Sequence, residues 1–184
     1  MKQQVFPVIS NWKQFERFLN TDIVWCVLMD FHMNFMEELI QQAHARGKKT
    51  IVHMDLLHGI ANDAYGAQFM CQKLHVDGII STKPKVIESA KSNHVIAILR
   101  LFLIDTRSLE KGCALANSLR PDYLEILPAM TLGAVARIRR YCDLAIIGGG
   151  LIADCEDIDL CLHSGMMAIT TSNLDLCLAY YKKK

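Results

Sequence analysis

Two short segments toward the C-terminal end hold the densest potential for anion chemistry. Gly148-Gly149-Gly150 lets backbone N–H groups approach a bound group closely, and Thr170-Thr171-Ser172-Asn173 supplies hydroxyls together with a helix cap. Taken together they have the makings of a phosphate cradle, to which a helix N-terminus adds favourable dipole. Taken singly, the glycines make a tight turn and the Thr/Ser run caps a helix. Earlier in the chain, Ile51-Val52-His53-Met54-Asp55 places His53 and Asp55 on one face of an extended segment and Met54 on the other. The pair could bind a ligand, or be a core histidine beside a loop-capping carboxylate. Lys83 closes Asp77-Gly78-Ile79-Ile80-Ser81-Thr82-Lys83. It could meet a phosphate, form a Schiff base if a hydrophobic pocket lowers its pKa, or sit solvated in a loop. Arg100 and Glu125 are charges set in the apolar runs Ala97 to Leu103 and Tyr123 to Leu127. Burying either alone would cost several kcal/mol, so they are expected to pair, as a structural or a ligand-orienting couple. Asp55 with His58 lacks a further ligand at diagnostic spacing, and no metal site is expected.

These residues need a scaffold, and the hydrophobic pattern gives one. Short runs rich in β-branched residues recur about every 23 residues, each followed by an amphipathic segment. Strands are predicted at Val5 to Ile9, Ile23 to Met29, Thr50 to Met54, Gly78 to Ser81, Val95 to Leu103, Tyr123 to Leu127, Leu144 to Ile147 and Met167 to Thr170. Helices are predicted at Asn11 to Leu19, Asn34 to Arg46, Asp63 to Leu74, Lys85 to Lys91, Thr106 to Leu119, Leu132 to Arg140, Cys155 to Leu162 and Leu174 to Tyr180. In the second helix Phe35, Leu39, Ile40 and Ala43 fall at the 3.6-residue period, with Gly47 as its C-cap. Unbroken apolar strands are buried on both faces, which implies a parallel sheet covered by helices. Eight such units point to a compact α/β chain, a (β/α)8 TIM-type barrel with minimal loops and its phosphate site after strands seven and eight. An open doubly wound sheet is the alternative. In a barrel the polar strand ends gather on one face, where ligands bind.

Composition limits the partners. The 184 residues are 52% hydrophobic and 21% charged, with a formal net charge of +1, which excludes a disordered chain and a globally basic nucleic-acid binder. One domain over 1–184 is expected from this length. Seven scattered cysteines without a CxxC pair read as buried thiols, not as a disulfide or zinc framework. With no signal peptide and no apolar stretch of membrane-spanning length, the expectation is a soluble cytoplasmic protein.

Taken in order, several blocks resemble one family. They are His53-Met54-Asp55-Leu56 with Gly59 and Asp63, then Asp77 to Lys83, Arg100-Leu101-Phe102-Leu103-Ile104-Asp105, Pro121 to Pro128, Gly149-Gly150-Leu151-Ile152 and Thr170 to Asn173. The set is similar to the glycerol uptake operon antiterminator regulatory proteins. That resemblance implies a non-catalytic barrel that binds glycerol 3-phosphate as effector, without another cofactor. When loaded, it would act on the leader mRNA of glycerol-uptake genes to prevent premature termination. It further implies that Gly149, Gly150, Thr171 and Ser172 hold the phosphate while His53, Asp55, Lys83 and Glu125 line the polyol end. Ser10 stands where the family has an arginine, Ala129 where it has glycine and Gly148 where it has alanine, and the tail after Asn173 lacks the family's tryptophan.

The residues themselves keep other classes open. A barrel enzyme of isomerase or aldolase type, acting on a small phosphorylated triose or polyol, would use Asp55 or Glu125 as base and Lys83 as electrostatic partner. A metabolite sensor that binds a protein is the third. No stacking-aromatic motif of known RNA modules occurs. RNA contact would need a patch built in space from clusters such as Arg137, Arg139 and Arg140, Arg46 to Lys49 or Lys182 to Lys184, across subunits if the chain is a homo-oligomer.

Overall fold

The computed structural model describes residues 3–131 and 133–183. Strand β1 (Val5–Ile9) leads to helix α1 (Trp12–Leu19), β2 (Trp25–Leu28) to α2 (Met33–Ala45), β3 (Lys49–His53) to α3 (Ala64–Gln72), and β4 (Gly78–Ser81) to α4 (Pro84–Ser92). The second half continues with β5 (Ile96–Phe102), α5 (Thr106–Leu119), β6 (Tyr123–Leu127), α6 (Ala134–Ile138), β7 (Ala145–Gly149), α7 (Cys155–His163), β8 (Ala168–Thr171) and α8 (Leu174–Lys182). All neighbouring strands pair in parallel, and β8 returns to β1, so the sheet closes in sequence order as a (β/α)8 barrel. This excludes the open sheet.

A chain this short closes such a barrel because the strand-to-helix loops are spare. Only Thr82 and Lys83 separate β4 from α4, and Ser172 and Asn173 separate β8 from α8. Several of these loops end in a residue that caps the next helix: Asn11, Asp63, Asp105, Asp154 and Asn173 each accept from a first-turn backbone N–H. At the opposite end, α2 stops in a Schellman turn. Gly47 adopts φ +68° while Gly47 N–H and Lys48 N–H donate to His44 and Ala43 carbonyls at 2.9 Å each.

The period of two along each strand divides the core. Phe6, Val8, Val27, Ile51, Ile80, Ile98, Ile147 and Ala168 fill the barrel interior, and a larger cluster packs between sheet and helices. Among the described residues, six cysteines are buried and free, and burial pushes the Cys71 and Cys113 thiols up to about 11 and that of Cys177 to about 12. No helix among the described residues is long and apolar enough to cross a membrane.

Three details differ from the sequence reading. The buried face of α2 runs through Met36, Leu39, Ile40 and Ala43, whereas Phe35 is exposed. Its ring meets Trp12 edge-on at 5.9 Å instead, because the helix starts at Met33 and the Phe35 direction passes alongside α1. Gly148 and Gly149 belong to β7 itself, paired with Ile126 and Thr170, so only Gly150 opens the loop. Finally, α6 spans Ala134–Ile138, shorter than predicted, and the proposed starting residue Leu132 lies outside the described residues.

Candidate ligand site at the barrel mouth

Extending the interior rows by two residues toward the C-terminal strand ends replaces aliphatic side chains with polar ones. Above Ile51 stands His53, above Ile98 stands Arg100, and above Ala168 stands Thr170. Register places Arg100 opposite Glu125, and Arg100 Nε donates to Glu125 Oε2 at 2.6 Å. The expected ion pair therefore exists, with the Glu125 side chain wholly buried and that of Arg100 only 11% exposed. The other carboxylate oxygen accepts from Thr170 Oγ1 at 2.8 Å. Gly149 makes this bond possible, because a Cβ there would lie 2.5 Å from Thr170 Oγ1 and 3.3 Å from Glu125 Oε1.

His53 faces this triad from β3. It is 2% exposed, and neither ring nitrogen has a hydrogen-bond partner. Burial, reinforced by the Arg100 charge and only partly offset by Glu125 and Asp55, lowers its pKa to about 4. At neutral pH the ring thus offers one donor and one acceptor, both unused, and buried polar groups in this state call for a partner.

Asp55 does not point into the same space. It lies in a single 3-10 turn, Met54–Leu56, and its carboxylate gathers the neighbouring loop. It accepts from the Ser81 hydroxyl, from Thr82 N–H at 2.8 Å and Thr82 Oγ1 at 2.7 Å, and from Asn62 Nδ2 at 3.0 Å. Burial works to raise its pKa, but these hydrogen bonds outweigh it and hold the carboxyl below its ordinary value. Lys83 is exposed and donates from Nζ to the Asn62 carbonyl at 3.0 Å. Asn62 thereby bridges Asp55 and Lys83, which sequence reasoning missed; its position next to the α3 cap Asp63 gave no signal of its own.

The two anion-binding segments arrive on adjacent strands, with Gly149 paired to Thr170. Gly150 has φ +76° and Leu151 φ +57°, so the chain turns through the left-handed region directly after β7. Ser172 is exposed at the end of β8, whereas Thr171 is buried and its hydroxyl accepts from Asn173 N–H at 3.2 Å. Of the hydroxyls here, that of Ser172 is the exposed one. Just past β1, the strand beside β8, Ser10 bonds through both N–H and hydroxyl to Gln14 Oε1 at 3.0 and 3.4 Å. Among the described residues no Lys or Arg side chain bonds to Ser10, and of the two cations near the mouth Arg100 is paired with Glu125 while Lys83 is exposed. Among the described residues no three His, Cys, Asp or Glu side chains form a metal-holding group; His58 meets Asp30 at 3.3 Å instead of Asp55.

Ala129 and Gly148 turn out to be one feature. A Cβ on Gly148 would lie 2.8 Å from Ala129 Cβ and press on the Met166 sulfur, so the space behind β7 holds one methyl and Ala129 supplies it. Gly148→Ala is expected to lower stability by about 1–3 kcal/mol through overpacking, and adding Ala129→Gly to restore part of the loss, the contacts with Met166 and Ile169 remaining. Urea titration of both variants checks this; additive losses would show that the two positions do not share the space.

Three kinds of similarity bear on this site. A model of the family described as "Glycerol-3-phosphate responsive antiterminator" matches residues 5–177. The crystal structure of the glycerol uptake operon antiterminator regulatory protein from Listeria monocytogenes str. 4b F2365 superposes with TM-score 0.90 at 36% identity, over 94% of each chain. A glycerol uptake operon antiterminator-related protein from Thermotoga maritima MSB8 does so with TM-score 0.82 at 25% identity, over 97% of this chain and 99% of the other. The uncharacterized protein YgcP of Escherichia coli K12 is 31% identical over 141 residues, 75% of this chain and 72% of that one.

Proposed function

Because the chain belongs to the glycerol-3-phosphate responsive antiterminator family, we propose that its barrel mouth takes glycerol 3-phosphate and that the loaded protein acts on leader mRNA of glycerol-uptake genes in the cytoplasm. The observation that carries the effector half is His53, a neutral, buried imidazole with two unused nitrogens beside the Arg100–Glu125 pair. A polyol hydroxyl is itself both donor and acceptor, so one hydroxyl can take the ring N–H and a second can donate to the bare nitrogen. The phosphate then lies toward Gly149, Gly150, Thr171 and Ser172, with the β8-to-α8 turn supplying N–H groups and dipole. Asp55 and Lys83 hold the rim of the polyol end through Asn62, and Glu125 acts through Arg100 and Thr170.

The same contacts favour a regulator over an enzyme. Lys83 is exposed, without the apolar pocket that an aldolase-type Schiff base needs, and every oxygen of Asp55 and Glu125 already accepts a hydrogen bond. Binding would then act by population shift, stabilising the arrangement of the mouth loops that engages RNA. Glycerol 3-phosphate, but not glycerol, should raise the melting temperature, by roughly 2–4 °C per kcal/mol of binding linkage. No shift at millimolar ligand would remove the effector assignment. Turnover of phosphorylated trioses or polyols that Asp55→Asn abolishes would establish the enzyme instead.

A further inference from the structure

At the outer rim of the mouth, α5 and α6 enclose a groove of about 560 Å³ whose lining includes Ile104, Thr106, Thr131, Arg137, Arg140 and Tyr141. Its two arginines are free of internal partners. Four of the eight arginines are held within the molecule: Arg17 by Asp175, Arg46 by Asn20, Arg100 by Glu125 and Arg139 by Asp143. Among the described residues, the guanidinium groups of Arg137 and Arg140 in the groove, of Arg107 at the start of α5 and of Arg120 at its end have no hydrogen-bonded or ion-paired partner. The acids nearby are engaged. Asp105 accepts from Ser108 N–H as the cap of α5, Glu110 accepts from the Tyr141 hydroxyl at 3.1 Å, and Asp143 belongs to Arg139. Tyr141 is 46% exposed, yet tethered at its hydroxyl and again at its carbonyl, which accepts from Asn117 Nδ2 at 2.7 Å.

We propose that this groove is the docking surface for single-stranded RNA, with phosphates on Arg137 and Arg140 and a base stacked on Tyr141. The inference rests on the RNA half of the proposed function and gives it a place. Unpaired guanidinium groups flanking a fixed, half-exposed aromatic ring are the combination that binds a single strand, since the ring takes any base while the cations follow the backbone. The groove is also wired to the mouth. Its walls Leu103–Asp105 and Thr131 continue β5 and β6, the strands that carry Arg100 and Glu125, and Leu103 N–H donates to the Leu127 carbonyl at 2.8 Å between them. An effector that repositions the Arg100–Glu125 pair therefore acts on the two loops that border the RNA surface.

Filter binding of the full-length protein to transcribed leader RNA, with saturating glycerol 3-phosphate and a salt series, tests this. The double variant Arg137→Gln/Arg140→Gln should bind at least tenfold more weakly, and its log–log salt slope should be shallower by about 0.7 for each lost phosphate contact. Tyr141→Ala should weaken binding by about tenfold with the slope unchanged. Lys13→Gln, on the exposed side of α1, should bind as the parent does. Melting temperature and its response to glycerol 3-phosphate should be retained in all variants, which reports that the barrel is intact. Parental affinity and slope in the double variant would overturn the groove assignment and leave this face to a protein partner. Failure of the parent chain to bind leader RNA would instead overturn the RNA reading itself, and the groove assignment with it.

Discussion

Glu125→Ala is expected to destabilise the protein by about 3–5 kcal/mol, because it leaves the Arg100 guanidinium inside the barrel without its counter-charge. Two bonds are lost together, the 2.6 Å bond from Arg100 Nε and the 2.8 Å bond from Thr170 Oγ1. A cavity is added to both. Against a total stability of about 5–15 kcal/mol for a typical domain, this places the variant near the edge of folding. Urea denaturation at pH 7, read as a change in midpoint at constant m-value, measures it. Glu125→Gln keeps the shape and one acceptor oxygen for Arg100 Nε, while its amide N–H can only donate to the Thr170 oxygen, so it avoids the cavity but still leaves the Arg100 charge uncompensated and should lose less than Glu125→Ala. The informative comparison is Arg100→Met/Glu125→Leu, which removes both charges. Buried pairs replaced by apolar groups of similar volume are often neutral or stabilising, so this double variant should recover most of the stability lost in Glu125→Ala. If it also loses its thermal response to glycerol 3-phosphate, the pair orients ligand; if the response persists, the pair is structural. A loss below about 1 kcal/mol in Glu125→Ala would show that water reaches Arg100 and shields it.

The fold was legible in the chain because its signals are local. A β-branched run followed by an amphipathic segment repeats eight times, and each run is too apolar to leave a face in water. Arg100 and Glu125 were legible as a pair for a related reason, since an ionised group in an apolar strand demands a partner and the adjacent strand held one of opposite sign. What escaped was created by the closing of the barrel. Thr170 read as part of an anion loop, but its hydroxyl is spent on Glu125, a residue 45 positions earlier, across the gap left by Gly149. Asp55 read as a ligand group or a loop-capping carboxylate, and its partners Asn62, Ser81 and Thr82, which make it a hub between loops, are set by the closed barrel. Phe35 satisfied the helical period yet faces Trp12, because periodicity fixes the spacing of a buried stripe and not its phase.

His53 contributes a distinct step to the pH dependence of this barrel. Its folded pKa of about 4 lies below the ordinary histidine value near 6.5, so the unfolded chain binds the proton more tightly. Stability contributed by this neutral ring is fully present above about pH 6.5 and is lost as pH falls toward 4. The shift corresponds to about 3 kcal/mol, and below pH 4 the loss levels off because both states are protonated. Asp55 acts in a different window. Its folded pKa is also lowered, but from the ordinary carboxyl value near 3.8, so the stability it provides persists through the histidine window and is lost only in stronger acid. The two contributions therefore separate on the pH axis. Urea midpoints measured from pH 7.5 to 4 for the parent and for His53→Gln should diverge, with the parent losing about 3 kcal/mol more than the variant across that range. The exposed carboxylates and remaining histidines are common to both proteins and cancel in the difference. Parallel curves would mean that the imidazole is solvated in the native state, and the unpartnered donor and acceptor on which the effector assignment rests would be satisfied by water instead of awaiting a hydroxyl.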